Sequence, residues 1–163
     1  MSPDDNDRIR QHIISNEGWR QAAYADSLGI LTIGVGFNLH RDDARARIAA
    51  LGLDYDDVVS GRRLLTDAEI DRLLKDDIET AMAGAADLVS NFADLSLARQ
   101  AVLVDMAFNL GARGLSRFRR FLAAVETGDW PAAEAEIVGS LYYRQVGERA
   151  RRNARATLTG EFA

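Results

Sequence analysis

Hydrophobic residues recur at helical spacing along most of this chain, but the period changes in one stretch near the N-terminus. Ile9, Ile13 and Glu17 fall at i, i+4 and i+8 of a first predicted helix and therefore share one face. Gly18 is expected to end that helix, because glycine readily adopts the left-handed conformation found at helix C-termini. The pattern places a carboxyl group, that of Glu17, on an apolar helix face.

The stretch after Gly18 alternates with a period of two residues, which predicts short β-strands. Residues 27–29 supply a turn between two strands, and the second strand is predicted over residues 32–37. Glycines within a strand often mark the close approach of a ligand. We therefore expect one strand face to lie open to a large ligand; the alternative is a weak, twisted hairpin. The closed face would carry Ile33, Val35 and Phe37, and the open face Thr32, Gly34 and Gly36.

Capping signals mark where the predicted helices begin. Asp4 or Asp5 can cap the first helix, and Thr66 with Glu69 has the spacing of a capping box. Ser96 begins the most apolar helix, which we expect at the centre of the core. Residues 53–65 are predicted to be irregular, with at most a helical turn. The predicted helices after the first cover residues 41–52, 66–90, 96–111, 116–126, 129–138 and 148–158.

This order of elements predicts one α+β, mostly helical domain over residues 1–163. A small β-containing N-terminal lobe, about residues 15–65, would be joined by a long connecting helix, about residues 66–90, to an all-helical C-terminal lobe. The helical lobe would comprise residues 80–163 and the first helix. A cleft between two lobes is the usual place for a ligand.

The composition is that of a globular protein, and it argues against disulfide-stabilised, membrane-spanning and secreted proteins. Hydrophobic residues make up 47% and charged residues 28% of the 163 positions. Because there is no cysteine, the chain has no disulfide framework and no thiolate metal site. No apolar run reaches the roughly 18 residues of a membrane span, and residues 1–8 lack the features of a secretory signal. We therefore expect cytoplasmic synthesis without membrane insertion.

Charge is distributed unevenly along the chain. The net charge is −5, yet residues 113–163 hold nine arginines against six acidic residues. Arginine forms bidentate contacts with carboxylates and phosphates, so the basic end suggests an anionic partner. A solvated, arginine-rich helix surface explains the same pattern, and the sequence leaves both interpretations open.

Two carboxyl groups near a predicted turn are the minimum equipment for glycoside hydrolysis. Glu17 emerges from an apolar face, where burial favours the protonated form of a general acid. Asp26 lies beside a polar turn, where water favours its ionised form, and Thr32 could hold a water molecule together with it. Room for that water would favour inversion, at a carboxyl separation of roughly 6.5–9.5 Å. By spacing alone this signal is weak, because Asp26 could be only a turn residue.

Other chemistries are poorly represented. Gly34 and Gly36 lack the third glycine of a dinucleotide fingerprint, because Leu39 stands there. His12 and His40 are the only histidines, and they do not have the spacing of metal ligands, so we predict no metal and no cofactor. No phosphate-binding loop or nucleophile-elbow serine is present.

Three motifs, in order, carry a resemblance that spans nearly the whole chain. They are Glu17-Gly18 with Tyr24-x-Asp26, Gly29 and Thr32-Ile-Gly-Val-Gly36, then Asp105-Met-Ala-Phe-Asn-Leu-Gly111, then Tyr142-Tyr-Arg-Gln-x-Gly-Glu-Arg149-Ala-Arg-Arg152. These segments resemble the T-even phage lysozymes, the endolysins of glycoside hydrolase family 24. The resemblance implies a lysozyme-like fold with Glu17 as general acid. It also implies that Asp26 and Thr32 position or activate the attacking water.

The same resemblance assigns roles outside this catalytic group. Arg149 matches the arginine that lies against the catalytic glutamate, where its charge would favour the ionised carboxylate. Phe37 stands where many relatives have a histidine used in structural pairing, and a phenylalanine can pack there instead. The expected substrate-binding residues are Phe108, Asn109, Gly36 and Leu39.

The function implied by the resemblance is cleavage of the β-1,4 bond between N-acetylmuramic acid and N-acetylglucosamine in bacterial peptidoglycan. Such an endolysin would act as a monomer made in the host cytoplasm, and a holin would give it access to the periplasm and cell wall. One alternative is a lysozyme-fold binding module without catalysis, against which the presence of Glu17, Asp26 and Thr32 argues. A nucleic-acid-binding helical protein is another, disfavoured by the net acidity, and a gel shift would test it.

Overall fold

The computed structural model describes residues 1–163 and consists of nine α-helices, one 3₁₀ helix and one three-stranded antiparallel sheet. The predicted α+β, mostly helical fold class is confirmed. The N-terminal elements are α1 (Pro3–Glu17), β1 (Arg20–Ala25), β2 (Leu31–Gly34), β3 (Phe37–Asn38), α2 (Ala44–Ala50) and α3 (Tyr55–Val59). Then follow α4 (Asp67–Leu88), the 3₁₀ helix (Phe92–Asp94), α5 (Leu97–Leu115), α6 (Arg119–Thr127), α7 (Trp130–Val138), α8 (Leu141–Val146) and α9 (Glu148–Thr159).

The chain forms two compact units. One is Ile13–Asp77, and the other combines Met1–His12 with Ile78–Ala163. The Ile13–Asp77 unit contains all three strands together with α2 and α3, whereas the other unit is helical. Both boundaries fall within helices, one inside α1 and one inside α4. The arrangement of the units as one domain stays a prediction.

In the Ile13–Asp77 unit the strands follow one another in the order β1-β2-β3. Thr32 on β2 lies directly opposite Tyr24 on β1 and Asn38 on β3, so these three side chains share one sheet face. A register irregularity separates Arg20 from Tyr24 in β1. The largest fully buried side chains of this unit are Ile13, Ile33, Phe37, Leu39, Ile48, Leu65, Ile70 and Leu74.

Residues 32–37 are not the single strand predicted from the alternating pattern. β2 ends at Gly34 and β3 begins at Phe37. Gly34 and Gly36 have φ values of +63° and +65°, a conformation that side-chain-bearing residues rarely adopt. A Cβ atom at Gly34 would lie 3.4 Å from the Ile70 side chain, so this face is covered by protein. The expectation of a glycine face open to a ligand is therefore wrong at Gly34.

Phe37 packs as the sequence suggested, and two arginines lie against it. Its side chain is 1% exposed. The Arg41 and Arg47 guanidinium carbons lie 4.8 Å and 5.6 Å from the ring centroid. Both arginines also pair with Asp77, at 3.0 Å and 2.9 Å. An aromatic ring and two ion pairs thus tie β3 to α2 and α4.

The helical unit has α5 at its centre, as predicted. Residues 101–107 of this helix are all buried. Ser96 caps α5 by accepting a hydrogen bond from the Arg99 N–H. Gly111 interrupts the helix at φ +73° and ψ +158°, but helical structure resumes to Leu115 instead of ending there. None of the helices is long and apolar enough to cross a membrane.

Helix starts follow capping chemistry, with two differences from prediction. Thr66 and Glu69 form the predicted capping box through two reciprocal side-chain to backbone bonds of 2.8 Å and 3.2 Å. At α1 the cap is Ser2, whose hydroxyl accepts from the Asp5 N–H, while the Asp5 carboxylate accepts from the Ser2 N–H. Residues 141–146, for which no helix was predicted, form α8 with Ser140 as its cap.

Candidate active site

Glu17 is the last residue of α1, at the point where the helix has to end. The Gly18 N–H still donates to the Ile14 carbonyl at 2.8 Å, and Gly18 then adopts φ +81°. Ile13, one turn before Glu17, is fully buried, while Glu17 itself is half-buried. The amphipathic pattern therefore delivers the Glu17 carboxyl to the edge of the apolar stripe, as the sequence predicted.

Gly36 lies directly against the Glu17 carboxyl group. A Cβ atom built on Gly36 would be 2.6 Å from Glu17 Cδ and 2.7 Å from Glu17 Oε2, closer than non-bonded atoms allow. Glycine at this position tolerates the positive φ, and it leaves the Glu17 carboxyl in place, whereas a side chain would displace it. Gly36, predicted to bind substrate, forms the wall beside the acid.

Asp26 sits at the β1–β2 turn with one carboxylate oxygen fixed. Its Oδ1 accepts the backbone N–H groups of Leu28 at 2.8 Å and Ile30 at 2.9 Å. These bonds are the reason for an aspartate at this turn, and they hold the side chain in one orientation. Oδ2 has no hydrogen-bond partner in the chain and remains available as an acceptor.

Thr32 lies on β2 with its side chain buried, at 4% exposure. Its hydroxyl donates to the Ile30 carbonyl at 3.0 Å, in the same turn that Asp26 organises. Because its proton is used in that bond, the hydroxyl can serve a further partner only as an acceptor. The turn thus fixes both Asp26 and Thr32 through Ile30.

Two residues that the sequence analysis did not assign share the sheet face of Thr32. Tyr24 and Asn38 are its direct neighbours on β1 and β3, and both are half-buried. Burial raises the pKa of the Tyr24 phenol, and the negative charges of Glu17 and Asp26 raise it further, against a lowering by Arg20. The alternation of side chains along β1, which places Tyr24 two residues before Asp26, is a sequence signal that could have indicated Tyr24.

The remaining predicted binding residues have different environments. Leu39 is 1% exposed, its N–H donates to the Leu31 carbonyl, and its carbonyl accepts from the Tyr55 hydroxyl. The Leu39 side chain therefore belongs to the core, which corrects its assignment to substrate binding. Phe108, half-buried, and Asn109, exposed, lie near the end of α5 in the helical unit.

Arg149 has a buried partner that the sequence analysis did not assign. Its Nε and Nη2 donate to the two carboxylate oxygens of Asp105, each at 2.9 Å, and both side chains are almost fully buried. Burial alone would raise the pKa of Asp105, but the charge and hydrogen bonds of Arg149 and the Asn153 amide hold it below its usual value. The predicted support of Glu17 by Arg149 stays a prediction.

The Asp105–Arg149 pair belongs to a larger polar cluster in the helical unit. Asn153 Nδ2 lies 2.7 Å from Asp105 Oδ2 and 2.9 Å from the Tyr142 hydroxyl, and Asn153 Oδ1 lies 3.1 Å from His12 Nε2. The cluster joins α1, α5, α8 and α9. His12, which had no predicted role, is a structural hydrogen-bonding partner of Asn153.

The Ile13–Asp77 unit therefore contains a carboxyl group at a helix end, a carboxylate at a turn and a hydroxyl on a strand. The turn that fixes Asp26 also fixes Thr32, through Ile30. Two unlike carboxyl groups and an acceptor for water are the groups that a glycoside hydrolase uses. No group of three or more side chains in the chain is arranged to hold a metal ion.

Comparison with known proteins agrees with this class. The family model for phage lysozyme matches residues 14–155, and the chain belongs to that family. The family supports peptidoglycan hydrolysis of the muramidase type.

Individual relatives are distant. Over 154 residues the chain is 29% identical to the pre-baseplate central spike protein Gp5 of Enterobacteria phage T4, covering 90% of this chain but only 27% of the spike protein. It is 24% identical over 160 residues to probable T4-type lysozyme 1 of Dictyostelium discoideum, covering 93% of this chain and 94% of that protein. Probable T4-type lysozyme 2 of the same organism is 25% identical over 153 residues.

Proposed function

We propose that this chain is an endolysin that hydrolyses the β-1,4 bond between N-acetylmuramic acid and N-acetylglucosamine in bacterial peptidoglycan. The observation that carries the proposal is the position of the Glu17 carboxyl against Gly36, in the same compact unit as Asp26 and Thr32. Membership of the phage lysozyme family supports the same reaction.

In the proposed reaction Glu17 is the general acid, which gives its proton to the leaving glycosidic oxygen. A water molecule donates one hydrogen bond to the unpaired Oδ2 of Asp26 and the other to the hydroxyl oxygen of Thr32. Thr32 suits the role of acceptor because its own proton is bonded to the Ile30 carbonyl. Both water protons are then directed toward the protein, so a lone pair faces the anomeric carbon.

This arrangement makes the proposed mechanism an inverting one. Water attacks the anomeric carbon from the face opposite the leaving group and gives one proton to Asp26 Oδ2, while Glu17 protonates the leaving oxygen as the glycosidic bond breaks. The anomeric configuration therefore reverses. Arg149 is proposed to support the catalytic acid, and Phe108 and Asn109 to bind the glycan. No cofactor takes part in any step.

Affinity for the wall is proposed to come from arginines of the helical unit. Six exposed arginines in its C-terminal part form no ion pair, whereas five arginines of the Ile13–Asp77 unit do. Unpaired guanidinium groups are available to wall anions, although the protein is acidic overall. The unpaired arginines are Arg113, Arg117, Arg119, Arg120, Arg144 and Arg155.

The biological setting is part of the proposal. An endolysin of this kind accumulates as a monomer in the cytoplasm of the infected bacterium, and a holin opens its path to the periplasm and cell wall for host lysis. The similarity to a phage spike protein favours a second setting, in which the chain belongs to a virion and cuts the wall during entry. Detection of the chain in purified virions would favour entry over lysis.

The decisive experiment compares the wild type with Glu17→Gln on purified peptidoglycan. We expect clearing and new reducing ends with the wild type, and a loss of at least about a thousandfold with Glu17→Gln, since the variant cannot donate a proton. Glu79→Gln makes the same chemical change at an exposed position of α4 and should keep full activity.

Different products would indicate different functions. Equal clearing by the wild type and Glu17→Gln would remove Glu17 from the mechanism. Peptides released without reducing ends would make the protein an amidase or peptidase. Binding without any cleavage would make it a lysozyme-fold binding module. A gel shift with nucleic acid would support the nucleic-acid-binding alternative.

Nuclear magnetic resonance of the first-formed anomer tests the inverting mechanism, which predicts a product with the anomeric configuration opposite to that of the substrate.

A further inference from the structure

Tyr24 is placed beside the candidate catalytic residues by the geometry of the sheet. It lies directly opposite Thr32, so the two side chains project from the same face with Cβ atoms about 4.5–5.5 Å apart. The register irregularity between Arg20 and Tyr24 interrupts β1 just before this residue. Irregularities of this kind redirect side chains and are frequent next to active sites.

The aromatic ring of Tyr24 has a contact within the protein, but its hydroxyl group has no hydrogen-bond partner there. The Arg20 guanidinium carbon lies 5.1 Å from the ring centroid, and the side chain is half-buried. The hydroxyl has no hydrogen-bond partner in the chain. A half-buried phenol normally finds a polar partner, and the chain supplies one to Tyr55, whose hydroxyl bonds to the Leu39 carbonyl.

The electrostatic surroundings of Tyr24 keep the hydroxyl protonated. Burial, then Glu17, then Asp26 favour the neutral phenol and raise its pKa, and Arg20 opposes them. These influences favour the protonated phenol, which is the form that can donate a hydrogen bond. It also lies close enough to both carboxyl groups to feel their charges.

We propose that Tyr24 is a further catalytic residue, whose hydroxyl donates a hydrogen bond to an oxygen of the sugar that lies at Glu17 and Asp26. This inference rests on the proposed glycoside hydrolysis, since the sugar is the partner that the unpaired hydroxyl lacks. The hydrogen bond fixes the ring whose anomeric carbon the water attacks. Tyr24 thus complements Thr32, which accepts from the water on the same sheet face.

The test is Tyr24→Phe, which removes only the hydroxyl and keeps the ring against Arg20. We expect kcat/KM on peptidoglycan to fall about tenfold, the value of one lost hydrogen bond to the substrate, with an unchanged Tm. Tyr55→Phe removes a phenol that bonds inside the protein. That control should lower Tm and leave kcat/KM at the wild-type value.

A second measurement tests, without an activity assay, whether the Tyr24 hydroxyl lies close to the Glu17 and Asp26 carboxyl groups. Ultraviolet titration of the wild type minus Tyr24→Phe isolates ionisation of the Tyr24 phenol. Glu17→Gln and Asp26→Asn should each lower the pKa of that phenol, because each removes a negative charge that acts on it. An unchanged value in both variants would show that the hydroxyl lies away from the carboxyl groups and would overturn the proposal.

The two proposals can fail separately. Wild-type kcat/KM in Tyr24→Phe, with reducing ends still formed and still dependent on Glu17, would overturn the role of Tyr24 and leave the proposed function intact. Absence of reducing ends with the wild type would overturn the proposed function, and the role of Tyr24 with it.

Discussion

At the scale of single residues, Gly36 controls the position of the proposed acid. Its backbone lies so close to Glu17 that any side chain would overlap the carboxyl group. Its positive φ adds a second restriction of about 1–2 kcal/mol for other residues. The two effects can be separated, because other glycines share the backbone conformation without the contact.

We predict that Gly36→Ala lowers kcat on peptidoglycan by about a hundredfold, because a new methyl group displaces the Glu17 carboxyl by an ångström or more. Gly52→Ala is the matched control, since Gly52 has φ +79° and no atom within 4 Å of its Cβ position. Both variants should lose similar stability in thermal unfolding, but only Gly36→Ala should lose activity. Equal activity in the two variants would show that a methyl group at position 36 does not displace the Glu17 carboxyl group.

At the scale of elements, helices α4 and α5 approach each other at two small residues. A Cβ atom on Gly84 of α4 would be 2.7 Å from Ala112 Cβ of α5. Ala112 follows directly after Gly111, whose non-helical conformation breaks α5. Glycine at position 84 thus costs helix propensity, about 1 kcal/mol relative to alanine, and allows the close approach.

We predict that Gly84→Ala destabilises the protein by about 1–3 kcal/mol despite its better helix propensity, because the two methyl groups overlap. The double variant Gly84→Ala with Ala112→Gly removes the overlap and should be more stable than the sum of the single changes by at least about 1 kcal/mol. Urea unfolding of all four proteins measures this coupling. Additivity within about 0.5 kcal/mol would mean that α4 and α5 adjust freely.

At the scale of the whole molecule, one buried ion pair connects several helices of the helical unit. Asp105 is fully buried with Arg149 and Asn153 as partners, and Asn153 extends the cluster to His12 and Tyr142. The folded-state pKa of Asp105 is below its ordinary value. Its contribution to stability is therefore complete above the unfolded-state pKa of about 3.9 and declines as the pH falls through the folded-state value.

We predict that Asp105→Asn lowers stability by about 3–5 kcal/mol at neutral pH, since it leaves the Arg149 charge buried without its carboxylate. For a chain of this size, Tm should fall by about 10 °C. The variant should also lose less stability than the wild type on acidification below about pH 4, because the titrating group is gone.

The double variant Asp105→Leu with Arg149→Met is the control for that prediction. It removes both charges, so it should recover much of the stability that Asp105→Asn loses. Thermal unfolding across a pH series measures all three proteins. An unchanged acid dependence in Asp105→Asn would assign the acid sensitivity to other carboxyl groups.

Features set by neighbouring residues could be predicted from the sequence. Glu17 at the end of α1, the capping box at Thr66 and the Asp26 turn each depend on a few adjacent positions. Local hydrogen bonds and side-chain periodicity fix such features wherever the segment lies in the fold. The mostly helical α+β class followed from the same signals.

Features that depend on contacts between separate segments could not be predicted from the sequence. An alternating segment with glycines fits a strand with a bare face as well as a tight turn, and only the contacts to Glu17 and Ile70 distinguish them. Leu39 is apolar in either case, and its burial depends on what packs over it.

The sequence by itself determined the fold class and the order of elements, and it singled out Glu17, Asp26 and Thr32 as candidate catalytic residues. Only the tertiary structure showed that Gly36 lies against the Glu17 carboxyl group and that Tyr24 shares a sheet face with Thr32. It also showed that Arg149 pairs with Asp105. The physical reason is that each of these contacts joins two segments that are not adjacent in the chain. The geometry of these contacts depends on how helices and strands pack against one another, and a local sequence pattern does not determine that packing.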